Sequence, residues 1–466
     1  MGSKPAIYDA SGSKELALDR LIDIFQSNGV VRVIYKNLSP NDNSKNQPYV
    51  GSHLTDLGFL PTGDIIESAS RSVKTKDPKR KVKYTAPLNY SWLSAEGAKY
   101  PAPDAKLIYY PQYPEVRFSG FVNRCQFDMG GWMDPTKKGR MVGRVLFFGI
   151  KSDGEILAYL ATPESRISKE TQECLSIALT GVFNEITLDN RLQSGSARDV
   201  LIQELRRIHQ KQWIPGKRLD RTGLEKAYKA QNGGGYTLEA ELGVKPNGIA
   251  EPDFMGWEIK QFGVKKCHLI NSKPLTLMTP EPDGGLYAEQ GFEAFIRKYG
   301  YTTKENPGRY DFTGRHFIDD ECDKSKMTLV TMGYDAESGS ITDASGCIAL
   351  LDAKGNPAST WSFAKIMGHW MRKHAKAAYI PSLSQTSADK IRSYHYCNNV
   401  RLFTGSSFIK LLQALENKQV YYDPGINLKN ANTKSESKRR SQFRIKSAHL
   451  ESLYEKQDFV DTLKKE

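Results

Sequence analysis

Three residues in the second half of the chain have the types and the spacing of a hydrolytic metal site. Asp253, Glu258 and Lys260 form an Asp-x4-Glu-x-Lys pattern around the segment Met255–Phe262, whose aromatic and β-branched residues predict a strand. Residues two apart on a strand face the same way, so Glu258 and Lys260 share one face while the alternate residues point into the core. Asp253 precedes the strand and can reach over the same place.

This pattern predicts phosphodiester hydrolysis. Two carboxylates held close together repel each other, and a hard divalent cation such as Mg²⁺, or Mn²⁺ in its place, relieves that repulsion. Such a cation polarises a phosphate and lowers the pKa of a bound water, and Lys260 beside it can stabilise the developing charge. The alternative is an exposed strand with a salt bridge, because the pattern arises by chance in about one chain in ten of this length.

Three further features favour the site over the chance pattern. Glu239 lies upstream in Thr-Leu-Glu-Ala-Glu-Leu-Gly, a predicted short helix that could aim a third carboxylate at the metal. The glycines at 233–235 and Gly256 permit a close approach of backbone to substrate. The 466-residue chain has a net charge of +13, which favours a polyanionic partner.

The basic charge is concentrated near the end of the chain. Between Lys429 and Lys446 seven basic residues stand against Glu436 alone, which is typical of a solvated loop or of a surface that follows a phosphate backbone. No stretch approaches the roughly 18 apolar residues of a membrane span, and the N-terminus lacks the order of a signal peptide, so we expect a cytosolic protein. The six scattered cysteines are then expected to be reduced, and zinc is not expected.

The elements that must position these residues fall into two halves. Short β-branched and aromatic runs separated by turn residues predict a β-rich barrel or sandwich in the first half, with a helix before it and another after it. The second half mixes helices with strands, as in an α/β or α+β domain. The predicted helices are 16–27, Lys169–Phe183, Asp199–Gln212, Tyr287–Tyr299 and Trp361–Lys376, and the predicted strands are Val30–Tyr35, Lys106–Tyr110, Val116–Val122, Val145–Ile150, Ile156–Leu160, Lys326–Met332 and Ala349–Asp352.

The stretch Gly-Gly-Gly-Tyr-Thr-Leu-Glu-Ala-Glu-Leu-Gly followed by Glu-Pro-Asp-Phe-Met-Gly-Trp-Glu-Ile-Lys-Gln-Phe closely resembles the MvaI/BcnI family of restriction endonucleases, relatives of the nickase MutH. The resemblance covers about Leu201–Glu466 and implies a PD-(D/E)xK nuclease fold, with Pro252-Asp253 as its leading pair. It implies that Asp253, Glu258 and Lys260 are catalytic, that Asp253 and Glu258 bind Mg²⁺, and that Glu239 supports them. It further implies a monomer that cuts double-stranded DNA at CCWGG one strand at a time.

A late segment, Val420-Tyr-Tyr-Asp-Pro-Gly through Lys438-Arg-Arg-Ser-Gln-Phe-Arg-Ile-Lys, resembles the recognition region of that family. Guanine is best read by Arg or Lys, and cytosine by a carboxylate. We therefore predict base contacts by Asp423, Arg439, Arg440 and Arg444, with phosphate contact as the alternative for each.

The first half resembles the N-terminal effector domain of EcoRII, a DNA-binding pseudobarrel, over about residues 25–155. Two polar arms would contact DNA, although ordinary turn chemistry is an alternative for both. One arm would use Lys36, Ser39, Asn41, Asp42 and Asn43, and the other Arg117, Asn123 and Arg124.

An EcoRII-type effector region joined to an MvaI-like nuclease is the arrangement of UbaLAI-type enzymes. It predicts an effector domain at 1–190, a linker at 191–204 and a catalytic and recognition domain at 205–466, working as a Type IIE enzyme that needs two copies of its site. The alternatives are a MutH-like nickase and a sequence-specific DNA-binding regulator that does not cut, and a structured-RNA-binding protein is remote.

Overall fold

The computed structural model describes most of the chain. The described residues are 6–8, 15–40, 47–70, 82–111, 115–134, 136–174, 176–180, 182–186, 195–230, 232–245, 253–268 and 274–464. Seven α-helices lie in them, at Leu18–Ser27, Arg166–Glu173, Ala197–Gln210, Gly233–Glu241, Gly285–Tyr299, Phe363–His374 and Phe408–Glu416, with 3-10 turns at Leu54–Leu57 and Ser447–Leu453. No helix among them is both long and apolar enough to cross a membrane.

The first half is β-rich, as predicted. An eight-stranded sheet has the order Gly195–Ser196, Ser176–Ala178, Asn184–Ile186, Val30–Leu38, Arg144–Lys151, Ile156–Ala161, Tyr90–Leu93 and Lys99–Pro101. A five-stranded sheet has the order Tyr49–Gly51, Glu115–Ser119, Lys106–Tyr110, Val82–Pro87 and Ile66–Ala69. A short parallel pair joins Ala6–Ile7 to Phe127–Asp128. We call these sheets together the N-terminal region.

The helix predicted at Lys169–Phe183 is only half right. The chain is helical over Arg166–Glu173, where the Ser165 side chain caps the first turn, and then becomes the strand Ser176–Ala178. That strand pairs with Asn184–Ile186, which lies on Val30–Leu38. Tertiary pairing to a sheet therefore overrides a local helical pattern at this point.

The second half is a mixed α/β structure built on a sheet with one long central strand, Lys376–Thr386. Its neighbours on one side are Arg392–Tyr396 and Asn399–Thr404, both antiparallel. On the other side the strand Glu258–Gly263, which we call the site strand, runs parallel to it, with Glu258 opposite Ala377. The outer strands of the sheet are Ile214–Pro215 and Lys456–Asp461.

Smaller sheets complete the second half. They are Pro274–Met278 with Phe443–Lys446 and Val420–Tyr422; Tyr301–Thr303 with Asn306–Thr313, Gly425–Lys429 and Glu436–Lys438; Thr328–Met332 with Cys347–Leu351 and Pro357–Ser362; Lys217–Leu219 with Glu225–Ala227; and Tyr334–Asp335 with Ser340–Ile341.

The two halves are packed against each other. The Thr55 hydroxyl donates to the buried carbonyl of Ser406 at 3.0 Å, and the Lys376 ammonium donates to the carbonyl of Leu179. A single hydrophobic cluster contains Leu54 and Leu57 of the N-terminal region as well as Trp370 of the helix Phe363–His374. We call this helix the bridging helix, because it touches both the N-terminal region and the site strand's sheet.

Part of the predicted linker 191–204 has regular structure. Residues 191–194 lie outside the described residues, Gly195–Ser196 is a strand of the N-terminal sheet, and Ala197–Gln210 is a helix with Val200, Leu201 and Leu205 buried. The connection into the second half is therefore structured at its end, and the helix predicted from Asp199 begins two residues earlier.

The expectation of six reduced cysteines is wrong for one pair. Cys267 and Cys397 form a disulfide with their Cα atoms 5.5 Å apart, although 130 residues separate them in sequence. Cys125, Cys174, Cys322 and Cys347 are free thiols. The disulfide joins the loop that follows the site strand to the end of the strand Arg392–Tyr396, on the far side of the central strand.

Candidate active site

The site strand has the alternation that its sequence predicts. Trp257 and Ile259 are 2% and 6% exposed and pack in the hydrophobic cluster of the catalytic half, together with Ala378 and Ile380 of the central strand. The strand is therefore held by burial of one face and by parallel pairing. Its other face carries Glu258 and Lys260, whose side chains form an ion pair.

A tight turn returns Asp253 to the strand. Phe254 and Trp257 exchange both backbone hydrogen bonds, at 2.9 and 2.8 Å, across Met255 and Gly256, whose φ angles are 46° and 79°. Glycine adopts a positive φ angle without strain, which explains why residue 256 is a glycine. Asp253 Oδ2 then accepts from the backbone N–H of Ile259 at 2.8 Å, and its other oxygen faces the site.

Two lysines surround the two carboxylates. Lys260 Nζ lies 2.6 Å from Glu258 Oε1, which confirms that these residues share a face. Lys373 Nζ, from the last turn of the bridging helix, lies 3.3 Å from Glu258 Oε2 and 3.9 Å from Asp253 Oδ1. The side chain of Glu258 is 4% exposed, whereas those of Lys260 and Lys373 are 27% and 37% exposed, so the carboxylate is removed from water and both lysine side chains reach the surface.

The pKa values follow from burial and these charges. Burial raises the pKa of Asp253 to about 7, and the neighbouring Glu258 adds to that shift while Lys373 opposes it. Burial also favours the protonated form of Glu258, but Lys260 and Lys373 together outweigh it and lower its pKa. Burial and then Glu258 raise the pKa of Glu239. Glu258 is thus held as an anion, whereas Asp253 keeps a proton up to about neutral pH.

The four residues predicted for the catalytic site come together in space. Glu239 lies on the helix Gly233–Glu241 and is close enough to Glu258, Lys260 and Lys373 for each to affect its pKa. Pro252 lies outside the described residues. Lys373 was not predicted, because no local pattern connects it to a motif that lies far away in sequence.

The donor set suits a hard cation that keeps much of its water. Within the part of the chain that the structure describes, no group of three or more His, Cys, Asp or Glu side chains is arranged around a metal position. Glu258 Oε2, however, is buried and contacts the Lys373 ammonium at 3.3 Å, with no further donor among the described residues. A buried carboxylate oxygen held only by an ammonium, next to a second carboxylate, fits Mg²⁺, which is typically bound by one or two carboxylates plus waters and phosphate oxygens.

The predicted DNA-reading residues lie near two paired strands. Arg444 is on Phe443–Lys446, Asp423 directly follows Val420–Tyr422, and Arg439 and Arg440 lie in the segment that precedes Phe443–Lys446. Arg444 Nη1 donates to Asp423 Oδ2 at 2.7 Å, and its Nη2 donates to the carbonyl of Pro274 at 3.0 Å. Arg439 and Arg440 are exposed, and the Arg439 guanidinium lies 4.9 Å from the centre of the Phe292 ring. Asp423 and Arg444 therefore satisfy each other, whereas the two exposed arginines are available to a ligand.

The DNA contacts predicted for the N-terminal region involve residues in different environments. Asn41, Asp42 and Asn43 lie outside the described residues, while Ser39 and Asn123 are exposed. Arg117 makes a two-bond ion pair with Glu115, and Arg124 does the same with Asp104.

Lys36 does not lie on an exposed arm. It is 5% exposed on the strand Val30–Leu38, its ammonium is 6.0 Å from the centre of the Phe183 ring, and burial lowers its pKa to about 8. The DNA contact expected of Lys36 therefore has no support in the position of its side chain.

The sequence of this chain matches the model of one protein family. The model of the MvaI/BcnI restriction endonuclease family matches residues 202–454, more than half of the chain. A structure titled "Restriction endonuclease MvaI-cognate DNA substrate complex" is similar with 19% identity, over 56% of this chain and 97% of that one, at a TM-score of 0.42. MvaI in the absence of DNA is similar with 19% identity, over 59% and 99%, at 0.33. No curated protein sequence matches the chain.

Proposed function

The chain belongs to the MvaI/BcnI restriction endonuclease family, and we propose that it is a Mg²⁺-dependent Type II enzyme that cleaves double-stranded DNA at CCWGG. The observation that carries the proposal is the cluster of Asp253, Glu258 and Lys260 within the matched residues, with Lys260 Nζ 2.6 Å from Glu258. A restriction endonuclease is a deoxyribonuclease. The metal, the recognition site and the mode of action are the proposed parts.

Asp253 and Glu258 would hold the cation, and Mn²⁺ would substitute for Mg²⁺. When bound, the metal supplies Lewis acidity to the scissile phosphate and a water of lowered pKa. Lys260 keeps Glu258 in the anionic form and would stabilise the negative charge that develops on the phosphate. Glu239, which is neutral more readily than an ordinary carboxyl, can hold a water by hydrogen bonding at the edge of the site.

The recognition site would be read by Asp423, which follows the strand Val420–Tyr422, by Arg444 on the strand paired with it, and by the exposed Arg439 and Arg440. The exposed arginines are free to contact guanine edges or phosphates, and the ion pair of Asp423 with Arg444 would open toward cytosine and guanine when DNA binds. The seven basic residues between Lys429 and Lys446 would supply the salt-dependent part of the affinity.

We propose that the N-terminal region is an EcoRII-type effector domain, as in UbaLAI-type enzymes, and that the enzyme is Type IIE. It would act as a monomer, and because the described residues hold one such cluster, it would cut one strand before the other. The contact of the N-terminal region with the bridging helix supports coupling, because this helix delivers Lys373 to Asp253 and Glu258. Arg117 and Arg124 would exchange their carboxylate partners for DNA phosphates.

The test of the reaction uses the full chain and plasmid DNA. Discrete linear fragments that map to CCWGG are expected with Mg²⁺ and not without it. Lys260→Ala is expected to abolish them, whereas Lys265→Ala, an exposed lysine just after the site strand, should cut like the wild type. Nicked circles alone would indicate a MutH-like nickase, and tight retention without cutting would indicate a DNA-binding regulator.

The test of two-site action compares plasmids that carry one and two CCWGG sites. Cleavage of the one-site plasmid should be slow and should accelerate when a short duplex containing CCWGG is added. Arg124→Ala, which removes the exposed arginine of the second arm, should reduce this acceleration. Equal rates on both plasmids, with no response to the duplex, would contradict the effector role.

A further inference from the structure

Lys373 occupies a position in the site that the proposed reaction does not explain. Its ammonium lies between the two carboxylates, at 3.3 Å from Glu258 Oε2 and 3.9 Å from Asp253 Oδ1. Lys260 already pairs with the other oxygen of Glu258. Lys373 is therefore a second cation on the side of Glu258 that faces Asp253.

The backbone around Lys373 is firmly held. Its neighbour His374 is fully buried and stacks on Trp370 at 4.1 Å, and the two His374 ring nitrogens contact the carbonyl of Leu277 and the hydroxyl of Tyr454 at 3.0 and 3.2 Å. The Ser406 hydroxyl donates to the carbonyl of His374. The lysine therefore reaches the carboxylates from a fixed point at the end of the bridging helix.

The lysine side chain itself can move away. It is 37% exposed, in contrast to 4% for Glu258, so its ammonium has a path to water along a flexible four-carbon stem. Above about pH 7, where Asp253 is ionised, the two carboxylates repel each other in a site with little water unless a positive charge lies between them. The Lys373 ammonium supplies this positive charge at the place where a divalent cation would bind.

On the basis of the proposed metal site, we propose that Lys373 is a positioning residue that acts as the counter-ion of the metal-free site. It holds Asp253 and Glu258 in place, and it moves toward solvent when a divalent cation binds to them. The metal must therefore compete with a built-in ammonium for Glu258, so the protein binds its metal more weakly than the same carboxylates would without Lys373.

The test measures Ca²⁺ binding to the full chain by isothermal titration calorimetry. DNA is left out so that no turnover enters the result, and the pH is kept well above 7 so that Asp253 is ionised in every variant that retains it. Lys373→Met should bind Ca²⁺ at least about tenfold more tightly than the wild type, because the competing charge is gone. Lys373→Arg keeps the charge and should stay near the wild-type affinity. Lys365→Met removes a lysine from the same helix and should change nothing. Asp253→Asn should lose most of the binding.

Thermal unfolding gives a second readout. Metal-free Lys373→Met should melt below the wild type because its carboxylates lack a counter-ion, and saturating Ca²⁺ should close most of that gap. If Lys373→Met does not fold, Lys373→Gln is expected to show the same two effects.

Two negative outcomes are distinct. Unchanged or weaker Ca²⁺ affinity in Lys373→Met, together with its loss in Asp253→Asn, would overturn the role of Lys373 and leave the metal site intact. Unchanged affinity in Asp253→Asn would overturn the metal site of the proposed function, and the role of Lys373 with it.

Discussion

Gly58 offers a direct test of the packing between the N-terminal region and the bridging helix. It follows the 3-10 turn Leu54–Leu57 and has ordinary helical angles, φ −58° and ψ −17°, so alanine at this position causes no backbone strain. A Cβ atom added there would lie 2.4 Å from the carbonyl oxygen of Met371 in the bridging helix. That oxygen is backbone and cannot rotate away.

The expected cost follows from this distance. Ordinary contact begins near 3.4 Å, so the turn and the helix must separate by about 1 Å, and overpacking of this kind costs roughly 1–3 kcal/mol. Replacing glycine by alanine also restricts the unfolded chain, which returns about 0.4–1 kcal/mol. Gly58→Ala should therefore lower the free energy of unfolding by roughly 1–2 kcal/mol.

The assay is urea unfolding of the full chain, followed by intrinsic fluorescence, with Gly308→Ala as the matched control. A Cβ atom on Gly308 meets nothing within 4 Å, so that variant should be as stable as the wild type or slightly more so. Gly58→Ala should also weaken the acceleration of cleavage by a second DNA site. The reason is that it separates the N-terminal region from the bridging helix, which carries Lys373. If Gly58→Ala were as stable as Gly308→Ala, the two halves would not be packed as described.

Three further predictions concern stability, pH and catalysis. Because the Cys267–Cys397 disulfide closes a sequence separation of 130 residues, Cys267→Ser with Cys397→Ser should lose about 2–4 kcal/mol of unfolding free energy in urea. Reduction of the wild type should abolish the difference; a double variant as stable as the oxidised protein would be evidence against the bond. Burial lowers the pKa of His316 from 6.5 to about 4. As the pH falls, the unfolded chain therefore takes up a proton at this histidine before the folded protein does. The stability that is present above pH 6.5 is lost as the pH falls toward 4. His316→Gln should flatten the pH dependence of urea unfolding by up to about 3 kcal/mol over that window, and parallel curves for the two proteins would contradict this. Lys260→Ala should reduce the cleavage rate by roughly 10²–10⁴-fold while DNA retention in Ca²⁺ stays within a few-fold, and equal loss of retention would assign Lys260 to binding instead.

The local sequence pattern predicted the structure correctly where a single helix or strand is concerned. A period of two placed Glu258 and Lys260 on one face with Trp257 and Ile259 in the core, and the structure confirms both. The helix predicted at Tyr287–Tyr299 spans Gly285–Tyr299, and the strand at Lys106–Tyr110 has the predicted bounds. Each of these depends on side-chain alternation and turn residues within a short stretch.

Long-range contacts decided the rest. Lys36 looks like an exposed lysine in its sequence, but its strand lies inside the eight-stranded sheet and buries it. The strand Ser176–Ala178 replaced a predicted helix because its hydrogen-bond partners come from other strands. The pairing of Cys267 with Cys397 depends on two loops meeting beyond the central strand.

The sequence by itself determined the family, the mixed and β-rich halves, and the face of the strand that carries Glu258 and Lys260, since motif order and residue alternation are local properties. The tertiary structure alone decided that Lys373 lies between the two carboxylates and that the N-terminal region packs on the helix that carries it. The physical reason is that such contacts join residues far apart in the chain, and burial and charge pairing select them only after the elements have packed.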